Sequence, residues 1–261
     1  IYPYQRPPLS KGFLTDKTKT KNLFFKSEDY YKKNDIIVHL KKRVIKLDAE
    51  KKEVILEDKS NIKYKKLVIS TGSKLNKITS KKDRKVIYLN SLPKAIELKK
   101  QLNKNKSIGV IGGGFIGLEV AATAKNMGLQ TTVLEAEKRI MQRSVSKEIA
   151  DFLKHYHEKM GVDFKLNTRA EKIDPTDSGV NIHLNDGKTI NPDFVVIGVG
   201  VQAESTIAED AGIECSNGIL VEKNCLTSDP NIYAAGDCVN YYFSRYGYRH
   251  RLESVQNAID Q

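Results

Sequence analysis

The sequence predicts an α/β fold, and three observations carry the prediction: an apolar strand that runs into a Gly-x-Gly-x-x-Gly turn, a helical apolar stripe directly behind the turn, and a second strand that ends in an acid. The first strand is Ile108–Ile111 and the turn glycines are Gly112, Gly114 and Gly117. Gly112 permits the tight turn, Gly114 lets backbone come close to a pyrophosphate, and Gly117 lets the helix pack closely on the strand. The helix is predicted over Phe115–Met127, with Ile116, Val120, Ala121, Ala124 and Met127 on one face and Gly128 as its stop. Thr131–Leu134 is the second strand, and Glu135 follows Gly112 by 23 residues, close to the ~20 at which an acid meets the adenosine ribose hydroxyls. In that order the parts predict a dinucleotide site whose phosphates sit on the helix N-terminus, where unpaired N–H groups and the positive dipole end favour anions. An acid at the strand end disfavours a 2′-phosphate and predicts NADH, whereas Lys138 and Arg139, close behind, weigh toward a phosphate.

The other elements follow from periodicity and turn chemistry. Asp35–Leu40, Arg43–Leu47, Glu53–Leu56, Ile62 and Leu67–Ser70 read as short strands, with a hairpin turn at Asp58–Asn61. The run from Lys66 ends in the small residues Ser70-Thr71-Gly72-Ser73, which suits backbone passing close to a ligand. A lysine-rich connector spans Lys74–Lys85. Helices are predicted over Leu92–Leu102 and Ser146–Met160, the latter with Ile149, Leu153 and Tyr156 as its core stripe. His155 and His157 point to different faces of that helix, make a poor metal pair and read as surface residues. A meander of Val162–Leu166, Ala170–Asp174 and Val180–Leu184 follows, with an Asn185-Asp186-Gly187 turn, and the apolar strand Phe194–Ile197 closes it at Gly198. Further on, a strand ends in Ala234-Ala235-Gly236-Asp237 ahead of a helix near Arg251–Gln261, which leaves the Asp237 carboxylate at a turn, either to accept from a polyol hydroxyl or to cap that turn.

With 261 residues and 39% hydrophobic content the chain is long enough for two domains. No apolar run approaches the ~20 residues that a membrane-spanning helix requires. Net charge is +12, and 35 of the 44 basic residues are Lys, scattered along solvated faces in short runs such as Lys32-Lys33, Lys41-Lys42-Arg43 and Lys81-Lys82 instead of gathered into a groove. Cys215, Cys225 and Cys238 form no Cys-x-x-Cys, a spacing that argues against a redox-active dithiol motif and a structural zinc site; the odd count suits a reducing cytoplasm, and each reads as a small apolar residue. The start at Ile1 in a Pro-rich segment and the stop at Gln261 inside a helical spacing predict a piece of a longer protein.

Five segments occur together in family order: Pro3-Tyr4-Gln5-Arg6-Pro7-Pro8-Leu9-Ser10-Lys11, Leu67–Ser73, the glycine turn, Ala234–Asp237 and Arg251-Leu252-Glu253-Ser254-Val255-Gln256-Asn257-Ala258. Across essentially its whole length the chain resembles the FAD-dependent NADH:ferredoxin reductases of oxygenase systems, within the pyridine nucleotide-disulfide oxidoreductase superfamily. The resemblance implies two Rossmann-like dinucleotide-binding domains, the NAD domain inserted in the FAD domain, with a β-meander in each. It implies a division into 1–78 (FAD domain, first part), 79–200 (NAD domain) and 201–261 (FAD domain, second part), with the N-terminal FAD fingerprint and the C-terminal interface domain absent from this chain. It also implies roles. Arg6, Pro7 and Lys11 would lie near the flavin, Val44, Thr71 and Gly72 against FAD, Asp237 on the ribityl chain, and Glu253, Ser254 and Val255 by the flavin ring. Gly112, Gly114, Phe115, Ile116 and Gly117 would hold the NADH pyrophosphate. Glu119, paired with Lys11, would stand beside the nicotinamide, Glu135 and Arg143 at the adenosine half, and Gly198 would give the nicotinamide room. Asn90 stands where relatives often place an arginine against FAD. The activity implied is electron transfer from NADH through FAD to a ferredoxin-type iron–sulfur protein serving an oxygenase.

Two other readings share parts of this pattern. A monodehydroascorbate-reductase-like or apoptosis-inducing-factor-like NADH oxidoreductase carries the same Pro-Pro-Leu-Ser-Lys segment. A basic nucleic-acid-binding protein on the same scaffold is suggested by the net charge and by the aromatic and basic stretch Tyr241–Arg251, which the resemblance instead makes a loop bordering the flavin.

Overall fold

The computed structural model describes residues 1–79 and 83–261, so Lys81-Lys82 and part of the expected Lys74–Lys85 connector lie outside the described residues. Two compact units share the chain, one of Pro3–Ser27 with Leu75–Gly200, the other of Ile1–Tyr2 and Glu28–Lys74 with Val201–Gln261. The second unit is interrupted by the first, as an inserted domain requires. The departure from the expected boundaries is Pro3–Ser27, which packs with 75–200. Its apolar side chains decide this: Leu9, Phe13, Leu14 and Leu23 are buried in the same cluster as Leu92, Leu98 and Leu102, and the Tyr4 hydroxyl accepts from the Leu92 N–H at 3.0 Å.

In chain order the strands are β1 (Val44–Asp48), β2 (Glu53–Leu56), β3 (Asn61–Lys63), β4 (Leu67–Ile69), β5 (Ser73–Leu75), β6 (Val86–Tyr88), β7 (Ser107–Ile111), β8 (Gln130–Leu134), β9 (Asp163–Lys165), β10 (Ala170–Pro175), β11 (Val180–Leu184), β12 (Thr189–Ile190), β13 (Phe194–Ile197), β14 (Val201–Ala203), β15 (Ile219–Val221), β16 (Ile232–Ala234), β17 (Val239–Phe243) and β18 (Tyr248–His250). The α-helices are α1 (Glu28–Lys33), α2 (Leu92–Lys104), α3 (Phe115–Asn126), α4 (Lys147–Lys159), α5 (Thr206–Glu209) and α6 (Val255–Asp260).

The unit holding 75–200 is built on a five-stranded sheet of order β6-β13-β7-β8-β9, with every pairing parallel. Parallel strands are clothed on both faces and therefore read as continuous apolar runs, and all four residues of β13 are buried. From β7 the chain steps to β8 and β9 on one side, then returns to β13 on the other. The strand order thus reverses between β7 and β13, which is where open α/β sheets leave a crevice at their carboxyl ends. One expected element moves. Val162–Leu166 does not open the meander: β9 continues the parallel sheet beside β8, and the antiparallel meander is β10-β11-β12. The ring of Phe164, packed edge-on against His157 of α4, belongs to the helix-covered sheet.

At the opposite, amino end of this sheet Asp193 staples β13 to β7. One carboxylate oxygen accepts the N–H groups of Lys106 at 2.8 Å and Ser107 at 2.9 Å, and Ser107 Oγ accepts the Asp193 N–H at 3.0 Å. Burial alone would raise this carboxyl, but the backbone and hydroxyl hydrogen bonds outweigh it and hold it below its ordinary value. A depressed carboxyl contributes stability above the unfolded pKa of about 3.9 and loses it as pH falls through the folded value. Asp193→Ala is expected to cost roughly 1–3 kcal/mol at neutral pH and to lack that share of the acid-induced loss, as urea melts at several pH values would measure.

Helix α4 takes a different face from the one its periodicity suggested. Ile149 and Tyr156 are over half exposed, while Ala150 and His157 are buried and Leu153 is half-buried. Positions 150, 153 and 157 form an equally regular stripe, and the small Ala150 lets the helix settle on Ile140 and Met141. His157, expected at the surface, is consequently buried against Phe164, and burial pushes its imidazole below the usual value; His155 is exposed as expected.

In the other unit β1-β2-β3 form an antiparallel sheet whose β2–β3 turn holds Lys59 at φ 67°. β4 pairs with β16 in parallel, and β15-β17-β18 make a third sheet. Their shared core gathers Leu47, Ile69, Ile219, Val221, Ile232, Ala234, Cys238 and Val239. Asp35–Leu40, expected as a strand, forms none: Asp35 and Lys41 at its borders take positive φ, which breaks extension at both ends. The expected Tyr241–Arg251 loop is instead largely the β17–β18 hairpin, with Tyr241 and Phe243 rings 4.2 Å apart. Arg249 donates to the carbonyls of Val221 and Asn240 and pairs with Glu222, and Arg251 pairs with Glu253 at 2.6 Å. Two of the three arginines of that stretch are therefore engaged inside the unit.

Candidate functional site

The glycine turn lies at the carboxyl end of β7, beside the carboxyl end of β13, so it opens at the sheet's switch point. Gly112 has φ 105°, and a Cβ there would stand 2.3 Å from the Gly198 carbonyl oxygen; a Cβ on Gly117 would stand 2.0 Å from the oxygen of Gly112. Both positions require glycine for space, and Gly112 for its dihedral as well. Gly114 differs: a Cβ there meets no atom within 4 Å. It is the N-cap of α3 and has no side-chain cap, so the first N–H groups of the helix, from Phe115 onward, lack an intrahelical partner. The side chains of Phe115 and Ile116 are exposed. Open space over an uncapped helix start fits a pyrophosphate.

Glu135, at the end of β8, is pinned to this turn. Its carboxylate accepts the Gly113 N–H at 2.7 Å through one oxygen and the Glu137 N–H at 2.9 Å through the other. Gly198 donates its N–H to the Ile111 carbonyl at 2.7 Å, which places it directly beside the turn. Arg143 is exposed, and its guanidinium lies so near Gly200 that a Cβ there would come within 3.2 Å of it.

Glu119 sits on α3 just beyond the glycine turn. Lys11 Nζ approaches its Oε1 at 2.9 Å, with side-chain exposures of 54% for Lys11 and 28% for Glu119. The Ser10 hydroxyl donates to its Oε2 at 2.5 Å. Ser10 is 6% exposed and belongs to the 3-10 turn Pro7–Ser10, whose N-cap is Arg6. Sequence reasoning singled out Lys11 and Glu119 but not Ser10. Its signal was only its place next to Lys11, because a serine 109 residues from its acceptor leaves no local pattern.

The second set of candidates gathers at the carboxyl end of the β4–β16 pair. β4 runs out into Thr71 and Gly72, β16 into Gly236 and Asp237. Ala235 N–H donates to the Ile69 carbonyl at 3.0 Å, tying the two exits together. Thr71 Oγ1 donates to the Glu204 carbonyl at 2.5 Å, and Gly72, at φ 71°, has nothing within 4 Å of a Cβ position. Helix α6 closes on the same exits: Ser254 caps it, Gln261 Oε1 accepts the Gly236 N–H at 2.7 Å, and Asn257 Oδ1 accepts from the Tyr241 hydroxyl at 2.8 Å. Val255 opens that helix and is exposed; Glu253, just before it, is held by Arg251. Val44 is at the exposed start of β1, opposite Leu56 of β2. Arg6, Pro7 and Lys11 fall in the other unit.

All three cysteines are free. Burial pushes the Cys215 thiol up to about 11 and raises that of Cys225, the reverse of what a reactive thiolate needs. Among the described residues no His, Cys, Asp and Glu gather as a metal site, and no helix is long and apolar enough to cross a membrane.

The family model for pyridine nucleotide-disulphide oxidoreductases matches residues 1–261. A rubredoxin-NAD(+) reductase of Pseudomonas putida is 37% identical over 264 residues, covering 100% of this chain and 69% of that protein. Terpredoxin reductase of a Pseudomonas species is 36% identical, covering 100% of this chain and 64% of its own length. Among solved structures, the covalent putidaredoxin reductase–putidaredoxin complex superimposes with a TM-score of 0.96 at 32% identity, over 100% of this chain and 64% of that one. The chain thus spans about two thirds of the length of the relatives it matches. With a full-length family match resting on a parallel α/β sheet and its glycine turn, the chain belongs to the pyridine nucleotide-disulphide oxidoreductase family.

Proposed function

We propose that this chain carries the coenzyme-binding halves of a flavoprotein reductase that takes electrons from NADH, passes them through FAD, and delivers them to a ferredoxin-type iron–sulfur protein serving an oxygenase. The observation that carries the reading is the open, uncapped start of α3 at Gly114, with Glu119 on the same helix held by Lys11 and Ser10. The pyrophosphate of NADH binds the N–H groups behind Gly114. Glu135, kept rigid by the Gly113 and Glu137 N–H groups, accepts from the adenosine ribose hydroxyls, and Arg143 supports that half. Glu119 orients the nicotinamide, and Gly198, without a side chain, leaves it room. In the other unit Thr71, Gly72 and Asp237 bind FAD at the exits of β4 and β16, with Glu253, Ser254 and Val255 flanking its ring system and Val44 as a further contact. FAD, when bound, accepts a hydride and releases electrons one at a time, which is the exchange an iron–sulfur partner requires.

The relatives named for rubredoxin, terpredoxin and putidaredoxin support the acceptor class. Three free cysteines support a reducing cytoplasm as the site of action. The test uses the complete protein. Its flavin absorbance is expected to bleach anaerobically on adding NADH and to recover on adding oxidised ferredoxin. No bleaching overturns the NADH reading. Bleaching followed by recovery with monodehydroascorbate, and none with any ferredoxin or rubredoxin, overturns the acceptor in favour of the alternative reductase.

A further inference from the structure

We propose that Arg139 is a positioning residue for the nucleotide site: it clasps the turn between β8 and α4, holds the coenzyme cradle through that turn, and so serves coenzymes with and without a 2′-phosphate equally. The proposal rests on the reading that the glycine turn takes a nicotinamide dinucleotide.

From sequence, Arg139 is a candidate phosphate ligand. Its guanidinium is already engaged. One terminal nitrogen donates to the carbonyls of Val145 at 2.9 Å and Ser146 at 3.2 Å, the other to the carbonyl of Gln142 at 2.9 Å. A planar fork suits such convergent carbonyls, and three of its five N–H donors are used on them. A phosphate that took over either terminal nitrogen completely would leave carbonyls of a tight turn without their donor.

The clasped turn is joined to the glycine turn by two routes. Along the first, Met141 holds φ 50°, a conformation that surrounding structure must enforce on a side chain of this kind. Its N–H donates to the Gly113 carbonyl at 3.0 Å. Ile140 is fully buried, with its Cγ2 2.9 Å from where a Gly113 Cβ would be. Along the second route Gln142 Nε2 donates to Glu137 at 3.1 Å, and the Glu137 N–H donates to Glu135, whose other oxygen holds the Gly113 N–H. Arg143 lies inside the clasped turn, between the Gln142 and Val145 carbonyls. Losing the clasp therefore loosens Gly113, Glu135 and Arg143 together, whereas Glu119 is held by Lys11 and Ser10.

The test is Arg139→Ala and Arg139→Lys in the complete flavoprotein. Four quantities are measured: kcat and KM for NADH with ferricyanide as acceptor, and dissociation constants for ADP-ribose and 2′-phospho-ADP-ribose. With Ala, both dissociation constants and KM are expected to rise by a common factor of about tenfold, the cost of ordering a few mobile side chains on binding, with kcat unchanged; Lys is expected to recover part. A loss confined to the 2′-phosphorylated ligand overturns the proposal, because Arg139 would then be a phosphate reader. So do unchanged constants, or a fall in kcat with KM unchanged. If the Ala variant does not fold, the Lys variant is read by the same ratio, together with amide exchange over Met141–Val145, which is expected to quicken. A parent protein that binds neither ADP-ribose nor NADH overturns the nucleotide reading itself, a result distinct from all of these.

Discussion

Gly114→Ala and Gly117→Ala are expected to fail in opposite ways. At Gly117 the added methyl meets the Gly112 carbonyl oxygen at 2.0 Å, and that oxygen is backbone, fixed by a turn that itself leans on Gly198. Helix α3 must therefore shift off β7. Overpacking of this kind costs roughly 1–3 kcal/mol, so a lowered melting temperature and poor yield are expected alongside lost NADH binding. At Gly114 the methyl points into open space, and the residue's extended backbone, φ −86° and ψ −173°, suits any amino acid. Folding stability should be untouched. The same methyl occupies the space where a pyrophosphate would approach the α3 N–H groups, and losing one or two charge-assisted hydrogen bonds of about 1.5–3 kcal/mol each predicts a KM for NADH higher by roughly one to four orders of magnitude. Thermal melts and NADH titrations on both variants check the pair. Equal losses of stability, or a Gly114→Ala protein with unchanged NADH affinity, would contradict the site.

That contrast also marks how much was legible. The glycine turn, the helix behind it and Glu135 are contiguous, so their spacing alone predicted β7, α3 and β8 to within one or two residues. What escaped was everything decided by partners distant in sequence. The resemblance puts Pro3–Ser27 in the first part of the FAD domain, while its four buried apolar side chains lie with α2. On α4 two stripes fit the helical period equally well, and Ala150 against Ile140 and Met141 selected between them. β9 was grouped with the strand that follows it because a short apolar run does not show whether its neighbour is parallel. At the site itself Lys11 and Glu119 emerged through a resemblance, whereas Ser10 required coordinates, since a buried hydroxyl is recognised only by what it faces.

The two sets of candidate residues obey one rule despite different sequences. In each unit a parallel pair, β7 with β13 or β4 with β16, sends both chains out at its carboxyl end through glycine or other small residues. In each, a helix start or a glycine without neighbours leaves backbone open there. Parallel strands deliver all their exits to the same edge, so ligand-facing loops collect there without any similarity between the loops. This explains how Thr71, Gly72 and Asp237, far apart in the chain, come to lie at one sheet edge.

Replacing Glu119 is the second large effect. Its carboxylate satisfies two donors at once, the exposed Lys11 ammonium at 2.9 Å and the buried Ser10 hydroxyl at 2.5 Å. Alanine leaves Ser10, only 6% exposed, with just the long 3.5 Å bond to the Pro7 carbonyl and lets Lys11 swing free, and a nicotinamide oriented by Glu119 would lose that partner. Removing hydrogen bonds that involve a charged group, at about 1.5–3 kcal/mol each, predicts NADH-driven flavin reduction slower by ~10- to 150-fold. Glutamine separates the two contacts, because its carbonyl oxygen keeps the Ser10 bond while the Lys11 pairing loses its charge. An exposed ion pair contributes little by itself, about 0–1 kcal/mol. Glu119→Gln is therefore expected to retain most of the rate if the Ser10 contact sets the orientation, and Ser10→Ala to resemble Glu119→Ala. Stopped-flow traces of flavin bleaching in the complete protein distinguish these cases. A Glu119→Ala enzyme that is reduced by NADH at the parent's rate would remove Glu119 from the nicotinamide site altogether.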